Sequence, residues 1–174
     1  MTTILAKQNA SEVVVYADLQ VTTNRKFLHE EMTKVTQRGQ YLLAGSGLSS
    51  YCDIFQHIWT PPTPTATDKK DLYHFMIAKV IPSLKKCFKE NDLKVESDKD
   101  DETRFAFLIV VGGQVFDIAE DFAVTIDKDG IFGVGSGSSF AIGALKAGAS
   151  MERAMQIAHE LDPYTSAEFQ VYYG

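Results

Sequence analysis

The chain begins Met-Thr-Thr, and Thr2 is a residue that could do chemistry. Methionine aminopeptidases remove an initiator methionine that precedes a small residue, and Thr2 qualifies as one. Thr2 would then carry a hydroxyl and a free α-amine together. A hydroxyl alone is a poor nucleophile at neutral pH. A terminal amine titrates at ~8, so part of it is neutral and can accept the hydroxyl proton, directly or through one water. One residue then supplies nucleophile and base, the threonine variant of the serine-triad logic. Such a site still needs a cation to keep the amine neutral, an acid to hold that cation, and N–H donors for the oxyanion.

The elements that would position these groups follow from the pattern along the chain. Residues 2–8 and 12–21 are β-rich runs separated by the turn Asn9–Ser11, and the second is apolar enough to be buried on both faces. Residues 25–40 carry a polar connection and the start of another strand, and 40–47 form a strand ending in small residues. Leu48, Cys52, Phe55 and Trp59 recur at helical spacing. The Pro/Thr-rich stretch 60–68 reads as an extended loop. Residues 68–91 predict an amphipathic helix with Asp68 or Asp71 near its start, kinked or split at Pro82. Residues 96–103 read as a charged loop, 104–137 as several short strands with turns at Gly112-Gly113 and Lys128–Gly130, and 138–148 and 150–161 as two helices. A closing strand takes 168–174. Strands, two helices, strands, two helices and a strand imply two antiparallel sheets packed together with helices outside, a layered α+β fold.

Composition bounds the rest. The chain has 174 residues, 45% hydrophobic and 23% charged, an ordinary balance for one globular domain over 1–174. No apolar run is long enough to span a bilayer, and no basic segment leads into an apolar one at the start, so a cytoplasmic protein with no membrane partner is expected. A net charge of −6 without a basic, aromatic-interleaved cluster argues against nucleic acid. Cys52 and Cys87 lack metal-ligand spacing and are expected as reduced, buried thiols. The histidines His29, His57, His74 and His159 are not expected to form a catalytic set, and no GxSxG, P-loop or zinc spacing occurs.

Five places in the chain resemble the proteasome β subunits and the bacterial HslV peptidase, the N-terminal-nucleophile (Ntn) threonine hydrolases. Residues 2–6, "TTILA", resemble the start of HslV. "YADLQVT" puts Asp18 sixteen positions after Thr2, and "EEMTKV" puts Lys34 thirty-two after it, the spacings of the family's aspartate and lysine. "LLAGSGLSS" is similar to the strand-to-helix turn that serves the oxyanion. "GVGSGSSFAIGAL" is similar to the proteasomal "VGSGSPFAYGVL", and "AHELDPYTSAEFQVY" resembles the stretch that leads into the last strand.

The resemblance implies an αββα sandwich and assigns roles. Thr2 is the nucleophile and its amine the base. Lys34 is the buried cation, and Asp18, at the end of an apolar run, is the partner that a buried charge requires. Gly47 gives its N–H to the oxyanion, with Gly45 competing for that role. Ser136 and Asp162 support the Thr2 amine, with Thr165 beside them. The matching HslV loop binds a monovalent cation through backbone carbonyls, so His159, Asp162 and Thr165 are candidate carbonyl ligands for Na+ or K+. Ser136 could alternatively cap a helix, and Asp162 could close one.

The chain departs from the pattern at Gln20, where proteasomal subunits often carry arginine, and at Ser166 and Ala167, which replace glycines. Tyr16, Val21, Thr22 and Tyr51 suggest a specificity pocket of mixed polarity. The expectation is a threonine-type endopeptidase of proteasome-like or HslV type that cleaves polypeptide inside a homo-oligomeric ring, with an AAA+ ATPase unfoldase as a possible partner and no cofactor required for the chemistry. Two rivals stand beside it. One is a catalytically inactive ring protein that retains Met1, and the other is an Ntn amidase acting on small amides.

Overall fold

The computed structural model describes residues 2–22, 26–28, 33–95 and 105–174. The N-terminal β-rich runs form a hairpin of β1 (Thr3–Gln8) and β2 (Val13–Asp18), closed by a turn in which Asn9 Oδ1 accepts the N–H groups of Ser11 and Glu12. The ribbon β3 (Gln20–Thr22) and β4 (Lys26–Leu28) continues from it. A second sheet runs in sequence order through β5 (Val35–Arg38), β6 (Tyr41–Gly47), β7 (Phe105–Val111), β8 (Gln114–Ile118) and β9 (Val124–Thr125). The first sheet is completed by β10 (Ile131–Gly135) and β11 (Phe169–Tyr173), in the order β10-β1-β2-β11, all antiparallel. Thr3 lies opposite Gly135, and Asp18 opposite Phe169. The head of β1 and the ends of its neighbours therefore meet at one edge of the sandwich.

Alternation decides which side chains meet between the sheets. Ile4, Ala6, Val13 and Val15 of the first sheet pack against Leu42, Ala44, Leu108 and Val110 of the second. On the outer face of the second sheet lie Leu43, Phe105, Phe107 and Ile109, covered by helices. These are α1 (Ser49–Asp53), which runs on through a wider π turn at Ile54–Ile58, and the succession α2 (Leu72–Phe75), a second π turn at Met76–Val80, and α3 (Ile81–Glu90). The outer face of the first sheet buries Leu5 under α4 (Ser138–Lys146) and α5 (Met151–Leu161). The layers are helix, sheet, sheet, helix: the αββα sandwich that the resemblance implied.

Local departures have local causes. Leu48 does not join the helical stripe. It precedes α1 and is 53% exposed, and the buried stripe is Tyr51, Phe55 and Trp59. The helix expected over 68–91 is broken at Asp71, whose side chain caps α2 by accepting the His74 N–H at 2.9 Å. Pro82 stands in the first turn of α3, just after the π turn, where a missing N–H costs least. Cys52 and Cys87 are free thiols and only partly buried. The charged stretch expected as a loop at 96–103 lies outside the described residues. Among the described residues no helix is long and apolar enough to cross a membrane.

Phe107 is fully buried, with its ring 4.0 Å from that of Phe55 and 4.4 Å from that of Phe105, centroid to centroid. Phe107→Ala empties the middle of that stack and is expected to cost ~3–5 kcal/mol. Urea denaturation checks this: the midpoint falls while the slope stays unchanged.

Candidate active site

β2 delivers Asp18 to the edge of the sandwich, where it is fully buried. Its Oδ1 accepts from Thr2 Oγ1 at 2.7 Å, from the Thr3 N–H at 2.7 Å and from Lys34 Nζ at 2.5 Å. Its Oδ2 accepts from the N–H of Gln20 at 3.0 Å and of Ser166 at 3.1 Å. A buried carboxylate is costly unless paired and hydrogen-bonded, and this one is both. Lys34 also donates to the Gln20 carbonyl at 2.8 Å. Burial holds the Lys34 amine below its ordinary range, against the upward pull of the Asp18 charge and hydrogen bond.

A second polar cluster adjoins the first. Asp162, at the end of α5, accepts on Oδ2 from Ser136 Oγ and Thr165 Oγ1, both at 2.7 Å, and on Oδ1 from the Tyr164 N–H at 3.1 Å. Burial pushes its carboxyl up, but these hydrogen bonds outweigh burial and leave it below the usual carboxylate range. Thr165 gives its proton to Asp162, so Thr3 is the donor in the 2.5 Å contact between the Thr3 and Thr165 hydroxyls. Ser136 Oγ is 3.5 Å from the Thr2 carbonyl. It caps no helix, since Gly137 occupies that position in α4. Gly137 has no room for a side chain: a Cβ there would lie 2.2 Å from Thr3 Oγ1 and 2.6 Å from Thr165 Oγ1.

Thr2 and Lys34 open onto one cleft of about 250 Å³, which Gly47, Cys52, Asp53 and Gln56 also line. Cys52 is no nucleophile there. Burial, with the Asp53 charge second, pushes its thiol up to about 12, so it stays protonated. The two glycines separate cleanly. The Gly45 N–H is spent on the Lys34 carbonyl at 3.0 Å, which withdraws Gly45 from the oxyanion role. Residues two apart in a strand turn their N–H groups to the same side. Gly47 therefore aims its N–H to the side of Lys34, beyond the start of β5, and its φ of 123° suits glycine alone.

The sequence-derived residues thus fall into two adjoining groups, Thr2–Asp18–Lys34 and Ser136–Asp162–Thr165, and Gly47 lines the cleft onto which Thr2 and Lys34 open. The pocket residues fare differently. Val21 lines the cleft, but Tyr51 belongs to the helix-covered core and Tyr16 packs against Phe169 on the other face. The side chain of Thr22 lies outside the described residues. Sequence reasoning missed Thr3, Gln56 and the work of Ser166, whose hydroxyl accepts the Leu19 N–H at 3.0 Å and donates to the Glu168 carbonyl at 2.6 Å. The missed signal was the position of Ser166 beside Thr165 in a turn already assigned to the site.

No family model and no curated protein matches the chain. Solved structures do. Thiobacillus denitrificans BPH aligns with a TM-score of 0.75 at 17% identity, covering 99% of this chain and 97% of that one. The same protein in complex with epoxomicin gives 0.75 at 16% identity over the same shares. Eukaryotic HslV from Trypanosoma brucei gives 0.68 at 18%, covering 98% of each chain. The fold is that of HslV and the proteasome β type.

Within this HslV-type fold the turn expected to offer carbonyls to a monovalent cation has partners of its own. The Thr165 carbonyl accepts from His159 Nδ1 at 2.8 Å, and the Asp162 carbonyl accepts the Thr165 N–H at 3.1 Å. A monovalent ion at these carbonyls would compete with the His159 ring.

Two outcomes follow from the electrostatics. Asp18→Asn leaves Lys34 as a buried charge without its counter-ion and is expected to cost ~3–5 kcal/mol, read by chemical denaturation. Asp162, with its folded pKa depressed, adds stability above the ordinary carboxylate range and loses it as pH falls through the folded value. The stability gap between the parent protein and Asp162→Asn should therefore narrow as denaturation is repeated from pH ~7 into acid.

Proposed function

We propose that this protein is a threonine peptidase whose nucleophile is Thr2, exposed by removal of Met1. The observation that carries the reading is the shared carboxylate oxygen: Asp18 Oδ1 holds the Thr2 hydroxyl at 2.7 Å and the Lys34 ammonium at 2.5 Å. An acid that fixes a cation beside a hydroxyl is the constellation that an N-terminal nucleophile requires.

In the processed chain the Thr2 amine takes the hydroxyl proton, directly or through water, as Oγ1 bonds to the peptide carbonyl carbon. Lys34 favours the alkoxide and the neutral amine by its charge. The Gly47 N–H receives the developing oxyanion. Collapse breaks the C–N bond, and the leaving amine takes its proton from the Thr2 ammonium. An ester on Thr2 remains. Water, deprotonated by the same amine, hydrolyses it and restores the hydroxyl. Ser136 and Asp162, bonded to each other beside Thr2, are the groups that would support its freed amine. Polypeptide is the proposed substrate, a ring of copies of this chain the proposed setting, and an AAA+ unfoldase the class of partner that would feed it.

The test is intact mass before and after a β-lactone, with turnover of fluorogenic peptides and of small amides measured alongside. Epoxomicin, bound by the T. denitrificans protein, serves as competitor. Loss of Met1, one adduct on Thr2 and peptide turnover are expected. Thr2→Ala should abolish turnover, and Lys34→Ala should lower it by ~10²–10⁴. Retained Met1 with no adduct would leave a ring-building protein without this chemistry. Turnover confined to small amides would make it an amidase.

A further inference from the structure

Gln56 is a buried amide in an unusual place. It lies in the π turn Ile54–Ile58 and is 3% exposed, between Phe55 of the aromatic core and the cleft that it lines. The turn closes with the Trp59 N–H on the Ile54 carbonyl, five residues back. Such a turn admits one more residue than an α turn, and isolated π turns recur at functional sites. Both N–H bonds of Gln56 Nε2 run across to the sheet, to the Lys34 carbonyl at 2.7 Å and the Leu43 carbonyl at 3.3 Å. The Lys34 carbonyl therefore accepts twice, from Gln56 and from the Gly45 N–H at 3.0 Å.

Lys34 precedes β5, so the ladder alone pins its backbone on one side only. Its ammonium is fixed at the far end of a four-carbon stem that can rotate. A catalytic cation must be held to within a fraction of an ångström, and that precision comes from the groups behind it. Burying an amide in this layer is unfavourable unless its donors are used, and both are used on the strands that frame Lys34.

We infer that Gln56 is a positioning residue for Lys34: it clamps the Lys34 main chain so that the ammonium reaches Asp18 and the Thr2 hydroxyl together. This rests on the peptidase reading for its kinetic consequence, but not for its structural one. The groups that face the Lys34 ammonium are Asp18 from β2, Thr2 from the head of the chain and Cys52 from α1. Burial depresses the Lys34 amine. A loosened Lys34 takes up water, and its titration moves towards the ordinary lysine range.

The experiment compares the parent protein with Gln56→Met, which keeps the length and apolar bulk of the side chain but loses both donors. Two readouts are taken: peptide turnover against pH, and the titration of Lys34 followed by NMR of its ε-carbon. The expected result is a kcat lower by about tenfold with KM within about twofold, and an alkaline limb and Lys34 titration both displaced upward. A general loss of folding would instead lower the active fraction without moving either titration. Gln56→Asn, too short to reach both carbonyls, takes the same measurements if Gln56→Met does not fold. A folded variant with unchanged kcat and an unchanged Lys34 titration overturns the proposal. If the parent protein itself shows no turnover, the peptidase reading fails alone, and the Lys34 titration still decides the role of Gln56.

Discussion

Everything at the site hangs on one buried carboxylate. Asp18 gathers donors from four separate stretches of chain: the head of β1, the start of β3, the residue before β5 and the turn after α5. None of these donors is near another in sequence except Thr2 and Thr3. The carboxylate can be fully buried only if all these segments arrive together, so the site forms only when the sandwich does. The dependence also runs backwards. With Asp18 unable to meet its donors, the edge of the first sheet would hold an uncompensated charge and the adjoining turn would lose its anchor.

The αββα arrangement makes that convergence possible. β1 is an interior strand, paired on both sides, so its head is held by β2 and β10 at once. Gly135 and Gly137 let the chain after β10 pass close to Thr2 and Thr3, where any side chain would strike them. The second sheet contributes Lys34 and Gly47 from the ends of neighbouring strands, and the helix layer above it contributes Gln56. The cleft is the seam where the two sheets and the helix layer come to one edge. The second polar cluster, through Ser136, Asp162 and Thr165, stiffens the same edge from the side of α5.

Much of this was legible in residue types and spacings. β-rich runs, helical spacing through Phe55 and Trp59 and the turn signals between them outline the layers, although β2, read as buried on both faces, alternates between buried and half-buried positions. Thr2, Asp18 and Lys34 were legible through their spacing in a familiar pattern, and the structure brings them onto one oxygen. The misses share a cause. Whether a glycine N–H is free depends on strand register, which no local signal reveals, and that decides between Gly45 and Gly47. Tyr16 and Tyr51 are amphipathic, and composition does not say which face they take. Gln56 carries no local signal, because the π turn in which it is buried is not marked by residue type. Leu48 stands at the cap of α1 and outside the buried stripe, which spacing does not reveal, because an apolar residue just ahead of a helix fits the same period as one inside it.

The cost of the central ion pair bears on what the protein is for. Replacing a buried ion pair by apolar residues of similar volume is often neutral or stabilising, while removing one partner is not. Filling the Asp18 and Lys34 positions with aliphatic side chains would remove the cost of the ion pair, but it would leave the N–H groups of Thr3, Gln20 and Ser166 without their acceptor. Here the pair is kept, the amine of Lys34 is held below its ordinary range by burial, and a hydroxyl is set on the same oxygen. These features set a cation and the Thr2 hydroxyl on one carboxylate oxygen, an arrangement that fits the threonine nucleophile proposed above.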